Sequence, residues 1–473
     1  MTGCCPRLVV AALRGGAGKT TVSLSMAAAW KKRGRQVVPF KKGPDYIDAA
    51  WLSLAAGESC YNLDTFLMGR EQVLRSFFQK STPVSLSLVE GNRGLYDGMD
   101  VAGSHSTAEL AKLLRAPVVL VIDCDKVTRT AAAMILGCQR LDPEVAIKGV
   151  ILNRVAGSRH EKILQIAVEQ TCNLPILGAV PRMEDFPFPE RHLGLTPPQE
   201  HLGVEKALAR ALEIAEKYLE LDRLWEIARE APPFRPSIEE VQPLRRKNRK
   251  IPGRPTIGVV KDSAFQFYYP ENLQGLSDAG ARVVEVSAIQ ERELPPVDAL
   301  YIGGGFPETH VRPLAENVSF RNSLREAVEN GLPVYAECGG FMYLGESLTV
   351  DGRRYPMVGA LPVAFQMEKR PQGHGYTLLE VEKENPFFAV GRMLKGHEFH
   401  YSRILSLGEG EITFAYRVKR GVGIDGARDG LCRKNVLATY SHLHALGTEG
   451  WADALVGRAM VYHTGEVPAM MAV

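Results

Sequence analysis

Two short stretches of this chain carry residue types and spacings suited to chemistry. In LPVYAECGGFMYL, Cys338 closes an apolar run and is followed at once by Gly339 and Gly340. A thiol on a tight turn between a strand and a helix has the placement of a nucleophile elbow. Helix N–H groups aimed at the sulfur would lower its pKa, and the turn would lift it into the open. Read by itself, Cys338 fits a buried structural cysteine better, and it is the double glycine, a second glycine turn and paired histidines together that favour catalysis. A nucleophile also needs a base, and TYSHLHALG offers His442 and His444, which share a face if that segment is extended. IGGGFPETH contributes Gly304 and Gly305, whose N–H groups, with that of Gly339, suit an oxyanion hole. His397 and His400 in GHEFHYS have metal-like spacing. No cysteine or acid cluster accompanies them, so hydrogen bonding in the active site or the core is expected instead.

The second stretch is RGGAGKTT, Arg14–Thr21, which follows an apolar run and opens a helical pattern. Gly15, Gly16 and Gly18 let the backbone wrap a phosphate, and the helix N-terminus stabilises its charge. Lys19 is placed to reach the β/γ-phosphates of ATP, Thr20 to ligate Mg²⁺, and Thr21 completes the loop. The pattern is imperfect: Leu13 stands where G-x-x-x-x-G-K-[ST] has its first glycine, and Arg14 where one P-loop subclass carries a second lysine. Asp45 in FKKGPDYID and Glu90 in SLVEGNRGLYDG follow strand ends in the same region. Acids there lie in the crevice where α/β ligands bind, so Thr20, Asp45 and Glu90 are expected to share one Mg²⁺. Asn153, at the end of GVILN, either reads an adenine edge or forms a plain turn.

The elements that must hold these groups are legible in the apolar pattern. Short runs at Leu8–Leu13, Gln36–Phe40, Val84–Val89, Pro117–Cys124, Lys148–Asn153 and Ile176–Val180 alternate with helical segments such as Thr20–Arg33 and Thr107–Leu114. That is a mostly parallel sheet covered by helices, and the reading is a P-loop domain over residues 1–230 that ends in a helical stretch from Gly203 to Arg229. Residues 231–255, with six prolines and the basic run Arg245–Lys250, read as a linker. A second α/β domain follows over 256–465, with strands at TIGVV, ARVVEVS, DALYIGGG and LPVYAE. Helices are expected at Glu271–Ala279 and Phe320–Asn330, and an antiparallel region at Tyr376–Val381, Glu411–Tyr416 and Asn435–Tyr440.

Composition limits the class. A chain of 473 residues with 45% hydrophobic and 23% charged residues is an ordinary globular α/β protein, which excludes disordered, collagenous and coiled-coil classes. A net charge of +3 gives no support to nucleic acid or membrane as a partner. The eight cysteines show no paired metal spacing, and no apolar stretch reaches the length of a membrane span, so the expectation is a cytoplasmic protein.

Taken in order, GGAGKTT, FKKGPDYID, VEGNRGLYDG, PERHLGL, SAFQFYYPENL, GGGFPE, AECGGFMYL, GHEFHYS and TYSHLH closely resemble the glutamine-dependent cobyrinic acid a,c-diamide synthase family, including its hydrogenobyrinic acid counterpart. The resemblance covers nearly the whole chain. It implies a dethiobiotin-synthetase-type P-loop domain followed by a triad-type class I glutamine amidotransferase domain, both α/β. It implies ATP- and glutamine-dependent amidation of the peripheral a and c acetate carboxylates of a tetrapyrrole acid. The acceptor is activated as an acyl phosphate, and ammonia comes from glutamine through a thioester on Cys338, with His442 as the base. It carries over Lys19 on the phosphates, Thr20, Asp45 and Glu90 around Mg²⁺, and Asn153 on adenine. The acid usual in triad-type amidotransferases two residues after the histidine is absent, because His444 stands there, as the resemblance to the cobyrinate-type branch allows.

The departures lie near the acceptor. Asn92-Arg93 replaces a common Val-Met pair after VEG, and Lys42 a common valine after Lys41. Lys41, Lys42, Arg93 and Asp97 are therefore the expected substrate contacts, although Arg93 could instead pair with Asp97 or Asp100. Siroheme or Ni-sirohydrochlorin is the alternative macrocycle, and a homodimer is the oligomer allowed for. A ParA/MinD-like regulatory ATPase would explain the P-loop but not the thiol elbow. A binding module with a degenerate amidotransferase domain is opposed by the presence of both Cys338 and His442.

Overall fold

The computed structural model describes residues 5–183, 190–191, 194–201, 203–233 and 253–465. Most of the expected linker, its basic run, and Pro189, His192 and Leu193 of PERHLGL lie outside the described residues. The chain divides into two compact units, Met1–Pro243 and Leu244–Val473.

The first unit is built on seven strands: β1 (Arg7–Ala12), β2 (Val37–Lys42), β3 (Tyr61–Leu63), β4 (Leu86–Glu90), β5 (Val118–Asp123), β6 (Ile147–Val155) and β7 (Ile176–Pro181). They lie in the order β3-β2-β4-β1-β5-β6-β7, and every pairing is parallel. Runs such as RLVVAA in β1 are buried along their whole length, as a strand covered by helices on both faces requires. Connections leave β1 toward β2 and β4 on one side and β5 on the other. The crevice at the strand ends beside β1 is therefore the binding position of this topology. Helices α1 (Lys19–Lys32) and α2 (Ile47–Ala56) start at that end.

The helical stretch expected from Gly203 to Arg229 is two helices, Val204–Tyr218 and Leu221–Arg229. Leu219 turns extended between them and bridges to Gly178 on β7. A side chain on Gly178 would meet Leu219 Cδ2 at 2.6 Å, so the missing Cβ is what admits the bridge. The second helix is locked down by Trp30, fully buried in α1, whose ring meets Trp225 edge-on at 5.4 Å.

The second unit has a ten-stranded mixed sheet. Its strands are taken with those of the smaller sheets in chain order, following a two-strand pair in the first unit, β8 (Glu190–Arg191) and β9 (Gly194–Leu195). They are β10 (Thr256–Val260), β11 (Phe265–Phe267), β12 (Arg282–Val286), β13 (Ala299–Ile302), β14 (Gly304–Gly305), β15 (Val334–Glu337), β16 (Ser347–Val350), β17 (Arg353–Pro356), β18 (Val363–Met367), β19 (Gly373–Val381), β20 (Met393–His400), β21 (Ser402–Leu407), β22 (Thr413–Arg420), β23 (Arg428–Arg433), β24 (Val436–Thr439) and β25 (His442–Leu443). The large sheet runs β12-β10-β13-β15-β24-β23-β22-β19-β20-β25. Leu300 and Ile302 pack into one core, while Ala299 and Tyr301 pack into the other, so β13 is buried on both faces by simple alternation.

One expectation is corrected here. The segment Asn435–Tyr440 is not purely part of the antiparallel region: its strand β24 pairs parallel with β15 and antiparallel with β23, joining the two halves of the sheet. This matters for the site, because β24 leads directly into His442.

Candidate active sites

In the first unit, Gly15, Gly16, Gly18, Lys19, Thr20, Thr21, Lys41, Asp45, Glu90, Arg93 and Asn153 all line one cavity of about 440 Å³, together with Asp48, Asn92 and Arg154. Gly18 has φ +97°, and a Cβ there would sit 2.1 Å from Asn153 Nδ2, so only glycine fits. The Asn153 amide donates to the Ala17 carbonyl at 2.9 Å and braces the loop from beneath. Lys19 Nζ donates to the carbonyls of Arg93 at 2.7 Å and Arg14 at 3.2 Å. Burial, followed by the charge of Lys41, lowers its pKa from near 10.5 to about 8.

At the floor of this cavity Thr20 Oγ1 lies 2.7 Å from Glu90 Oε1 and 3.3 Å from Asp48 Oδ2. Asp48 carries no strong sequence signal, since it sits one helical turn past Asp45 in FKKGPDYID, yet it is as central as either expected acid. Lys41 is buried among the three carboxylates, 2.6 Å from Asp48, 2.7 Å from Glu90 and 3.7 Å from Asp45. Burial works against the Lys41 ammonium, but the charges of Asp48 and Glu90 prevail and hold its pKa well above the ordinary lysine range. Burial and the neighbouring Asp48 charge raise Asp45 to about 7. Asp48 goes the other way, because Lys41 outweighs its burial.

The donor set fits a hard cation in part. Glu90 Oε2 is buried with no hydrogen-bond partner among the described residues, beside the Thr20 hydroxyl. Among the described residues no three His, Cys, Asp or Glu side chains form a metal cage. Mg²⁺ takes one or two carboxylates and fills its remaining positions with phosphate oxygens and water.

The expected substrate contacts separate. Lys41 serves the acids just described. Lys42, its neighbour on β2, is buried and does not line the cavity; burial lowers its pKa, against the opposing charge of Asp64. Asp97 accepts from the Gly94 N–H at 2.8 Å, and Asp100 from the Ser104 N–H at 3.0 Å. Arg93 is exposed on the cavity wall at φ +53°, and no ion pair ties it to either acid.

In the second unit Cys338 joins β15 to the helix Gly339–Leu344 at φ +46°, ψ −99°, a strained conformation for a residue with a Cβ. Two expectations about the thiol are corrected. It is buried, at 6% exposure, and its pKa is raised: burial, then the charge of Glu308, outweigh the bond from the Gly339 N–H. Gly304 and Gly305 lie against this turn. A Cβ on Gly304 would meet His442 Cε1 at 2.5 Å, and one on Gly339 would meet Gly305 N at 3.1 Å. Cys338, Gly339, Gly304, Gly305 and His442 are thus brought together.

The histidines sort themselves by their partners. His442 Nδ1 lies 3.3 Å from Glu337 Oε2, and its ring stacks on His397 at 4.8 Å. Burial and the neighbouring His442 keep His397 neutral, with its pKa well below the ordinary value, and its Nδ1 meets Tyr269 Oη at 3.3 Å. His400 stacks on Tyr440 and bonds to the Ser402 carbonyl, a structural role. His444 packs on Tyr269 and lies 3.6 Å from Glu271. Glu337, the residue before Cys338, is a second acid that the sequence does not single out. Its position at the end of a buried strand, where a carboxylate is costly without partners, was the available signal.

Residues 256–450 match the model of the CobB/CobQ-like glutamine amidotransferase domain, and residues 8–195 that of the CobQ/CobB/MinD/ParA nucleotide binding domain. The chain is 44% identical to a cobyrinate a,c-diamide synthase of Magnetococcus marinus over 95% of its own length and 96% of that protein's. It is 42% identical to one of Archaeoglobus fulgidus, covering 96% and 98% of the two chains, and 39% identical to one of Dehalococcoides mccartyi, covering 93% and 95%. Among the described residues no helix is long and apolar enough to cross a membrane.

Proposed function

The chain belongs to the cobyrinate a,c-diamide synthase family, and from that premise we propose that it is a glutamine-hydrolysing ligase that amidates the a and c acetate carboxylates of a cobyrinic acid-type tetrapyrrole. The observation that carries the reading is the pairing, in one chain, of a strained Cys338 elbow that shares the Gly304–Gly305 turn with His442 and a P-loop cavity floored by Thr20 and Glu90.

Glutamine hydrolysis belongs to the second unit. His442 takes the Cys338 proton as sulfur attacks the glutamine amide carbon, and the N–H groups of Gly304, Gly305 and Gly339 stabilise the oxyanion. His442 then returns the proton to the leaving ammonia, and water cleaves the thioester to glutamate. In the first unit a substrate carboxylate oxygen attacks the γ-phosphorus of ATP, ADP departs, and ammonia displaces phosphate from the acyl phosphate. Lys19 neutralises charge on the phosphates, and Arg93 holds a substrate carboxylate. Thr20 and Glu90, with Asp45 or Asp48 as a second carboxylate, are the residues that would hold Mg²⁺. When bound, the ion supplies charge neutralisation on the phosphates.

Asn92 and Arg93 on the cavity wall favour one second reading, the same chemistry on siroheme or Ni-sirohydrochlorin. A ParA/MinD-like regulatory ATPase accounts for the first unit alone and leaves the Cys338 elbow without a purpose. Isotope transfer tests the acyl phosphate: substrate labelled with ¹⁸O in its acetate carboxylates should deliver label to inorganic phosphate with each amide formed. Amide formation with unlabelled phosphate would refute that step.

A further inference from the structure

The residue that normally orients a catalytic histidine is missing from its usual place, since His444 stands two positions after His442. His444 does not fill the role: its Nδ1 accepts from the Leu446 N–H at 3.2 Å, its Nε2 faces Glu271, and among the described residues no hydrogen bond joins it to His442. We infer that Glu337, the residue immediately before the nucleophile, is the acid that positions His442 and fixes its tautomer. The inference rests on reading Cys338 and His442 as the glutamine-hydrolysing pair.

The geometry defines the role. Glu337 is 1% exposed at the end of β15. Its Oε1 accepts the Leu443 N–H at 3.0 Å, and its Oε2 accepts the Tyr301 hydroxyl at 3.1 Å. Tyr301 in turn receives the Asn272 amide at 3.3 Å, so the carboxylate is anchored from two sides. An ionised carboxylate can only accept, so the contact from His442 Nδ1 to Oε2 requires the proton on Nδ1. Nε2 then carries the lone pair and lies beside Gly304, the turn that Gly339 also packs against, which is the tautomer a base for the thiol needs. The 3.3 Å contact is long, as such bonds are before substrate binds, and it gains strength when the imidazolium forms. Because the thiol is buried, its proton has to be passed to a base that is held in place.

The test compares Glu337→Gln and Glu337→Asp with the parent full-length protein by glutamine hydrolysis, ammonia-driven amidation and ¹⁵N-histidine NMR. Glu337→Gln should lower kcat for glutamine by about 10²–10⁴-fold with little change in KM, since a mis-set tautomer disables the base without touching substrate binding. The His442 signal should change from one Nδ1-protonated form to a mixture, because an amide both donates and accepts, and Glu337→Asp should recover part of the activity. An unchanged kcat or an unchanged tautomer in Glu337→Gln would overturn the inference, as would a parallel loss of ammonia-driven amidation. Glutamine hydrolysis surviving in Cys338→Ala would instead refute the underlying reading of the site.

Discussion

The ammonium of Lys19 reaches across to the carbonyl of Arg93 at 2.7 Å, tying the phosphate loop to the glycine-rich loop after β4 through one side chain. Arg93 is held there at φ +53°, which a residue with a Cβ adopts only when its surroundings fix it. Loss of Lys19 therefore removes a brace as well as the phosphate contact proposed for it. Lys19→Ala and Glu90→Gln are each expected to reduce amide formation to background with glutamine or with ammonia, since carboxylate activation precedes nitrogen transfer. Glutamine hydrolysis, measured separately, should persist at some level. Retained ammonia-dependent amidation in both variants would move the ATP site elsewhere.

A pH effect follows from the same lysine. Its pKa is lowered from near 10.5 to about 8 in the free protein, so between those values the unfolded chain binds more protons at this group than the folded one. The stability penalty is full below about pH 8 and fades as pH rises toward 10.5. ATP phosphates would reverse the shift, so binding should take up a proton above about pH 8 and weaken as pH rises through that value. Calorimetry of ATP binding in two buffers of different ionisation enthalpy reads this directly. Equal apparent enthalpies would show that Lys19 is already fully protonated.

Arg93 offers a guanidinium on the cavity wall with neither Asp97 nor Asp100 bound to it. A charge-assisted pair with a substrate carboxylate is typically worth about 1.5–3 kcal/mol, or roughly tenfold or more in affinity. Arg93→Met should raise the tetrapyrrole KM by about that factor and leave the KM values for ATP and glutamine nearly unchanged. Equal tetrapyrrole KM values in variant and parent would make Arg93 a structural residue.

What could be read from the sequence was whatever depends on local pattern. β1, β5 and β7 are apolar runs of strand length, and the P-loop and the elbow are turns whose glycines announce them. Asp48 and Glu337 were not legible, because their importance comes from three-dimensional company: Asp48 meets Lys41 and Thr20, and Glu337 meets a histidine 105 residues away. The Cys338 environment was misjudged for the same reason. A strand–turn–helix pattern shows the helix N-terminus but not the burial and the Glu308 charge that outweigh it. Lys42 looked like a partner of Lys41, yet strand alternation sends adjacent residues to opposite faces.

The central claim is that one unit makes ammonia and the other attaches it. Mass spectrometry of tetrapyrrole products tests it, with parent and Cys338→Ala proteins each incubated with cobyrinic acid, Mg-ATP and either glutamine or a high concentration of ammonium. The account predicts that the parent replaces carboxyl hydroxyls by amino groups with both nitrogen sources, and that Cys338→Ala does so with ammonium alone. A folded Cys338→Ala protein that forms no amide with ammonium, or that still forms it from glutamine, would contradict that division of labour.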